Sequence, residues 1–194
     1  MTAKRVALFG LGSMGIGMPR SLLRAGHIVW GYDIRAEVAE NFAKESGNSQ
    51  PFAEIAAEID VAIIVVLNAR QAADILFGDQ GIVRQMTPGA TVMNCVTVSP
   101  EDARLAAARC ENSGIDYLDA PISGGAIKAG EGALSIMASG SAQAFDKSRA
   151  CLDAMAETVF ELGDEAGQGS LMKSVNQLLA GVHIATMAEA LAFG

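Results

Sequence analysis

An apolar run, Arg5 to Phe9, leads into Gly10-Leu11-Gly12-Ser13-Met14-Gly15, and a helical pattern takes over from Met14 to Ala25. Strand, G-x-G-x-x-G and helix in immediate succession describe the turn on which a dinucleotide pyrophosphate rests. Gly10 is expected to make the tight turn, Gly12 to let the phosphates approach the backbone, and Gly15 to let the helix close on the strand. Leu11, Ser13 and Met14 complete the cradle, where free N–H groups and the positive end of the helix dipole meet an anion. In a chain with 21 glycines the pattern alone is weak; its place between strand and helix gives it weight.

The rest of the chain repeats the alternation. Strand-like runs recur at Ile28–Tyr32, Val61–Val66, Ala90–Asn94, Asp116–Asp119, Ala133–Ala138 and Thr158–Leu162, with a helix from Ala36 to about Lys44. The runs are almost continuously apolar, as expected of strands buried on both faces. An aliphatic composition, 51% hydrophobic but only 5% aromatic, fits that layering. The expected fold is α/β: a Rossmann-type, doubly wound, mostly parallel sheet over residues 1–163. After Gly163 the strand signal stops. Residues 164–194 carry one long helical pattern through Leu171, Val175, Leu178, Val182 and Leu191, apolar on most of its circumference. Such a helix expects a cover. We expect it to begin an all-α C-terminal domain, largely missing from this sequence, or to drive homo-oligomer formation.

Asp33 ends the second strand, about twenty residues beyond the cradle, where the adenosine ribose arrives. A carboxylate there accepts the ribose hydroxyls and repels a 2′-phosphate, which favours NAD over NADP. Arg35 pulls the other way, since a guanidinium two residues on can grip that phosphate; it also fits a solvated charge at a helix start.

Two further segments carry chemistry. Asp119-Ala120-Pro121-Ile122-Ser123-Gly124-Gly125 places a hydroxyl and two glycine amides at a strand's carboxyl end, the edge at which open α/β sheets bind ligands. Ser123, Gly124 and Gly125 suit a carboxylate, although an ordinary strand-to-helix turn reads the same way. Lys173, Asn176 and Gln177 fall at i, i+3 and i+4, one polar patch on an apolar helix. A buried lysine loses basicity and becomes fit for proton transfer; on spacing alone, a solvated stripe on a surface helix is the better account of the patch. His27 and His183 have no partners in the sequence that suggest a metal or a base, and both are expected to be structural.

Composition excludes other classes. A formal charge of −8 argues against nucleic acid and anionic membranes as partners. Cys95, Cys110 and Cys151 are odd in number and far apart, which argues against a disulfide framework or zinc site and for a reducing cytoplasm. No run has the length and purity of a membrane span, and no secretory leader is expected.

Taken in order, the cradle Phe9–Gly15, the segment Asp119–Gly125 and the run Gly167-Gln168-Gly169-Ser170-Leu171-Met172-Lys173-Ser174-Val175-Asn176-Gln177 resemble the 3-hydroxyisobutyrate dehydrogenase family of β-hydroxyacid dehydrogenases. The resemblance covers the whole chain. It implies reversible hydride transfer between NAD(P) and the alcohol carbon of a small hydroxy acid, with Lys173 as acid/base. By the same resemblance Ser123, Gly124 and Gly125 anchor the substrate carboxylate, and Asn176 orients the hydroxyl and the lysine. Thr97 lies beside the nicotinamide ribose, and Leu67 and Asn68 line the cofactor. The run Gln177 to Ala185 is similar to the L-threonate dehydrogenase branch. Gln177 departs from the family, which often has a second Asn there. Members carry a helical C-terminal domain that closes the pocket, so a second reading stands beside the first: a dinucleotide-binding fragment without turnover. An imine reductase fits less well, because that related group usually lacks the lysine.

Overall fold

The computed structural model describes residues 2–194. Five strands, β1 (Arg5–Phe9), β2 (Ile28–Tyr32), β3 (Val61–Ile64), β4 (Thr91–Asn94) and β5 (Asp116–Asp119), form an all-parallel sheet in the order β2-β1-β3-β4-β5. The chain leaves β1 toward one edge and returns for β3 on the other side, so the crevice beside β1 is the switch point of the sheet. Along each strand the two faces alternate between two cores. Val6 and Leu8 pack with Met18, Leu22 and Phe42, whereas Ala7 and Phe9 pack with Trp30, Phe52 and Leu76. Burial on both faces is why these strands read as unbroken apolar runs.

Register sets the site. Tyr32 pairs with Phe9, Phe9 with Ile64, Ile64 with Asn94 and Asn94 with Asp119, so all five strands end in one row. The segments that follow them, from Gly10, Asp33, Val65, Cys95 and Ala120, therefore emerge along one edge.

The intervening helices are α1 (Gly17–Arg24), α2 (Ala36–Ser46), the short α3 (Phe52–Ile55), α4 (Ala69–Phe77) and α5 (Pro100–Glu111). Then come β6 (Ile122–Ser123), α6 (Gly125–Glu131), β7 (Leu134–Ala138), α7 (Ala142–Met155), β8 (Ala156–Glu161) and α8 (Gln168–Phe193).

Three expectations need correction. The late strands do not join the main sheet: β6, β7 and β8 make a separate three-stranded sheet, antiparallel between β6 and β7 and parallel between β7 and β8. One bridge, Asp119 to Ser139, connects the two sheets. Pro121 has no N–H to continue β5, and apolar patterning reports burial rather than the identity of the pairing partner. The first helix begins at Gly17, not Met14; Gly12–Ile16 wind through a turn closed by Ile16 N–H on the Gly12 carbonyl at 2.9 Å. Strand three ends at Ile64, and Val65 and Val66 bend out toward the site.

His27 is structural, as expected: it is buried, its Nδ1 accepts the Lys4 N–H at 3.0 Å, and its Nε2 lies 3.2 Å from the Ala150 carbonyl. The three cysteines are buried and unpaired, and burial pushes the thiols of Cys110 and Cys151 up to about 12. Among the described residues there is no cluster of three or more metal-ligating side chains, and no helix is long and apolar enough to cross a membrane.

Candidate active site

A cleft of about 400 Å³ opens at the switch point. Its floor is Gly12, Ser13, Met14 and Gly15; Val65, Val66 and Leu67 form one side; Cys95 and Thr97 sit at the back. Ser123, Gly124, Gly125 and Lys173 face the cradle across it. The three sequence motifs, separated by up to 161 residues between Gly12 and Lys173, thus border one space.

The glycines differ in what they permit. Gly10 has φ +103°, and a Cβ on it would stand 2.0 Å from the Val65 carbonyl oxygen. A Cβ on Gly15 would stand 1.8 Å from the Gly10 carbonyl oxygen. These two residues let the turn, β3 and α1 close up. A Cβ on Gly12, by contrast, meets nothing within 4 Å. That open surface over a glycine turn is where a pyrophosphate fits, and it is the observation that the residues present suit a dinucleotide.

Asp33 straps the turn to β2. Its Oδ2 accepts the Leu11 N–H at 2.8 Å and its Oδ1 accepts the Arg35 main-chain N–H at 2.9 Å. Arg35 Nε donates to Oδ1 at 2.9 Å and its Nη2 to Oδ2 at 3.2 Å. The hydrogen bond from this guanidinium holds the Asp33 carboxyl at about 2, so it stays ionised. Arg35 is thus neither a free phosphate clamp nor simply solvated, since it occupies the carboxylate that a ribose needs.

Lys173 is 6% exposed, and burial lowers its basicity. Its Nζ donates to Asn176 Oδ1 at 3.3 Å, the pairing that i, i+3 spacing anticipates. Beyond it α8 leaves the body of the protein: Gly169, Ser170 and Lys173 are its buried residues. Gln177 and His183 are exposed. Gly124 and Gly125 both hold positive φ, +134° and +80°, and the space around the Cβ position of Gly125 is open. Thr97 and Leu67 are exposed at the cleft, Leu67 by 87%. Asn68 lies outside the cleft wall and caps α4, its Oδ1 accepting the Gln71 N–H at 3.0 Å.

Two residues at the site gained no role from sequence. Cys95 lines the cleft, its thiol held protonated by burial. Asp119 is fully buried and accepts hydrogen bonds from Gly167 and Ser170. Its place at the head of the Asp119–Gly125 segment was visible; its partners, 48 and 51 residues away, were not.

Fold and cleft together define a Rossmann-type domain shaped to take a dinucleotide. Residues 5–163 match the family described as the NAD binding domain of 6-phosphogluconate dehydrogenase, and the chain belongs to that family. The expected resemblance to 3-hydroxyisobutyrate dehydrogenases holds as well. An L-threonate dehydrogenase of Escherichia coli is 42% identical over 193 residues, covering 96% of this chain and 63% of its own length. An NAD-dependent L-serine dehydrogenase of Pseudomonas aeruginosa is 33% identical over 192 residues, covering 98% of this chain and 64% of its own. A crystal structure of 3-hydroxyisobutyrate dehydrogenase from Salmonella typhimurium superposes with a TM-score of 0.92 at 42% identity, covering 98% of this chain and 67% of that one. The chain thus spans less than two thirds of the length of these two curated relatives.

Proposed function

We propose that this chain carries the cofactor half and the acid/base lysine of an NAD-dependent hydroxy-acid dehydrogenase. The observation that carries this reading is the meeting of Gly12–Gly15, Ser123–Gly125 and Lys173 around one cleft. NAD is the cofactor, with Gly10–Gly15 holding the pyrophosphate and Asp33 the adenosine ribose; when bound, its nicotinamide supplies the acceptor or donor of hydride. Ser123 and the main-chain N–H groups of Gly124 and Gly125 bind the substrate carboxylate. Lys173 Nζ takes the hydroxyl proton in oxidation and returns it in reduction, and Asn176 holds the amine in position. Thr97 and Leu67 flank the nicotinamide side, and Asn68 shapes the loop that carries Leu67. Residues 1–163 act as the dinucleotide-binding domain and 164–194 as the linking helix.

The substrate is a small hydroxy acid of the threonate, 3-hydroxyisobutyrate or glycerate type, and L-threonate leads because the relative at 42% identity is an L-threonate dehydrogenase. The buried, unpaired cysteines support a reducing compartment, the cytoplasm. The apolar length of α8 supports a homo-oligomer. A second reading, dinucleotide binding without turnover, draws on that helix: its side chains beyond Lys173 stand outside the body, leaving the cleft open there.

The test is NADH formation with L-threonate, 3-hydroxyisobutyrate, glycerate and L-serine. Turnover with at least one, lost in Lys173→Ala, supports the first reading. NAD binding with no turnover on any supports the second.

A further inference from the structure

Lys173 sits in the second turn of a helix that is buried only at its start, so something must fix that start. The helix lacks the usual means. Its N-cap is Gly167, which has no side chain to receive the first N–H groups. Gly167 is needed for another reason: it holds φ +102°, with the Pro100 carbonyl oxygen 3.0 Å from its Cβ position.

The missing cap is supplied from β5. Asp119 Oδ2 accepts the Gly167 N–H at 3.0 Å and the Ser170 N–H at 2.8 Å, and Asp119 Oδ1 accepts the Ser170 hydroxyl at 2.7 Å. Ser139 Oγ accepts the Gly169 N–H at 3.0 Å and lies 3.4 Å from Asp119 Oδ2. Asp119 and Ser139 are themselves tied by two main-chain hydrogen bonds, at 3.0 and 2.8 Å. All three side chains are fully buried. Gly169 lets the helix come down onto this pair, for a Cβ there would stand 2.3 Å from the Met137 carbonyl oxygen. Lys173 lies one turn further along the same face. In the other direction, the chain leaves β5 at Asp119 and passes through Pro121 to Ser123 and Gly124, across the cleft from the lysine.

We propose that Asp119 is the positioning residue of this site, a buried carboxylate that caps α8 from a neighbouring strand and thereby fixes Lys173 against the Ser123–Gly125 loop. It touches neither ligand; it acts through the lysine. The proposal rests on Lys173 as the proton-transfer group. A negative charge at a helix N-terminus also meets the positive end of the dipole, which is why an unpaired carboxylate is tolerated in this interior. Burial still pushes the Asp119 carboxyl above the ordinary range, against the pull of its donors.

The experiment needs no turnover, so its outcome is separate from that of the substrate panel. Each lysine of the 194-residue chain is titrated by competitive acetylation with mass-spectrometric readout, in the wild type, Asp119→Asn and the milder Ser170→Ala, alongside NADH affinity. In the wild type Lys173 titrates below the ordinary lysine range. Once α8 loses its cap, Lys173 regains solvent and moves up toward that range, and its reactivity near neutral pH falls about tenfold, more in Asp119→Asn than in Ser170→Ala. NADH affinity stays within about twofold, because the cradle is untouched. Should Asp119→Asn not fold, Ser170→Ala decides. An unchanged Lys173 titration in every variant that folds, even with a lowered melting temperature, overturns the proposal and leaves Asp119 a structural group only.

Discussion

At the scale of single residues, the site is a set of competitions for a few polar atoms. The Asp33 carboxylate has about four acceptor positions, and Leu11 and Arg35 engage both oxygens. A ribose must displace the guanidinium, which its 58% exposed side chain allows. Asp33→Asn is therefore expected to narrow the preference for NADH over NADPH, and Arg35→Ala to widen it, by freeing the oxygens while removing the cation paired with them; titration of both cofactors checks each. In the proposed function Lys173 sets the chemistry. Lys173→Ala is expected to lower kcat by about a hundred- to ten-thousand-fold, the usual contribution of a general acid/base, with dinucleotide affinity nearly intact. The sign of its pH dependence follows from burial. If the neutral amine accepts the proton in oxidation, as proposed, oxidation is expected to rise with pH through a midpoint below the ordinary lysine range, and reduction, which needs the ammonium, to fall through the same midpoint. A rising limb at or above the ordinary lysine value would falsify the buried-base assignment.

At the scale of elements, close backbone approach does most of the positioning. Helix α1 lies against α6 so tightly that a Cβ on Gly17 would stand 2.5 Å from the Gly130 nitrogen, and Ser21 Oγ donates to the Ala129 carbonyl at 3.0 Å. This seam links the helix behind the cradle to the helix that follows the Ser123–Gly125 segment. Gly17→Ala is expected to destabilise the fold by about 1–3 kcal/mol, the range for forcing a methyl into a filled interior, as read by denaturant unfolding. What the sequence disclosed here depended on range. The Lys173–Asn176 pair is local and follows from helix spacing. The break after β5 and the cap given to α8 by Asp119 join segments that spacing cannot relate. The early start assigned to α1 arose because Met14 and Met18 continue the apolar period while Gly12–Ile16 wind through a turn.

At the scale of the whole molecule, the row of strand ends was legible because each strand is buried on both faces, and burial is what patterning reports. The cleft was legible only in pieces; no periodicity places Gly12 beside Lys173. The final helix stands out differently. Leu178 is 67% exposed, Leu191 75% and Phe193 96%, on a helix formed through Phe193. Each such side chain gains about 1.5–3 kcal/mol on burial, so the isolated 194-residue chain is expected to self-associate through this face. Sedimentation at increasing concentration checks it, with Leu178→Glu and Leu191→Glu reducing association; a monomer at every concentration contradicts it.

The central claim is that the glycine turn and cleft are a nicotinamide dinucleotide site, and Gly12 isolates it. Its Cβ position is open and its backbone ordinary, so Gly12→Val leaves the fold intact while filling the space the pyrophosphate needs. Calorimetric titration of NADH and NADPH into the wild type and Gly12→Val, with melting temperatures in parallel, is the direct measurement. The wild type is expected to bind NADH more tightly than NADPH, and the valine to weaken NADH by at least about tenfold without lowering the melting temperature. Equal NADH binding by both proteins, or none by a folded wild type, would contradict it.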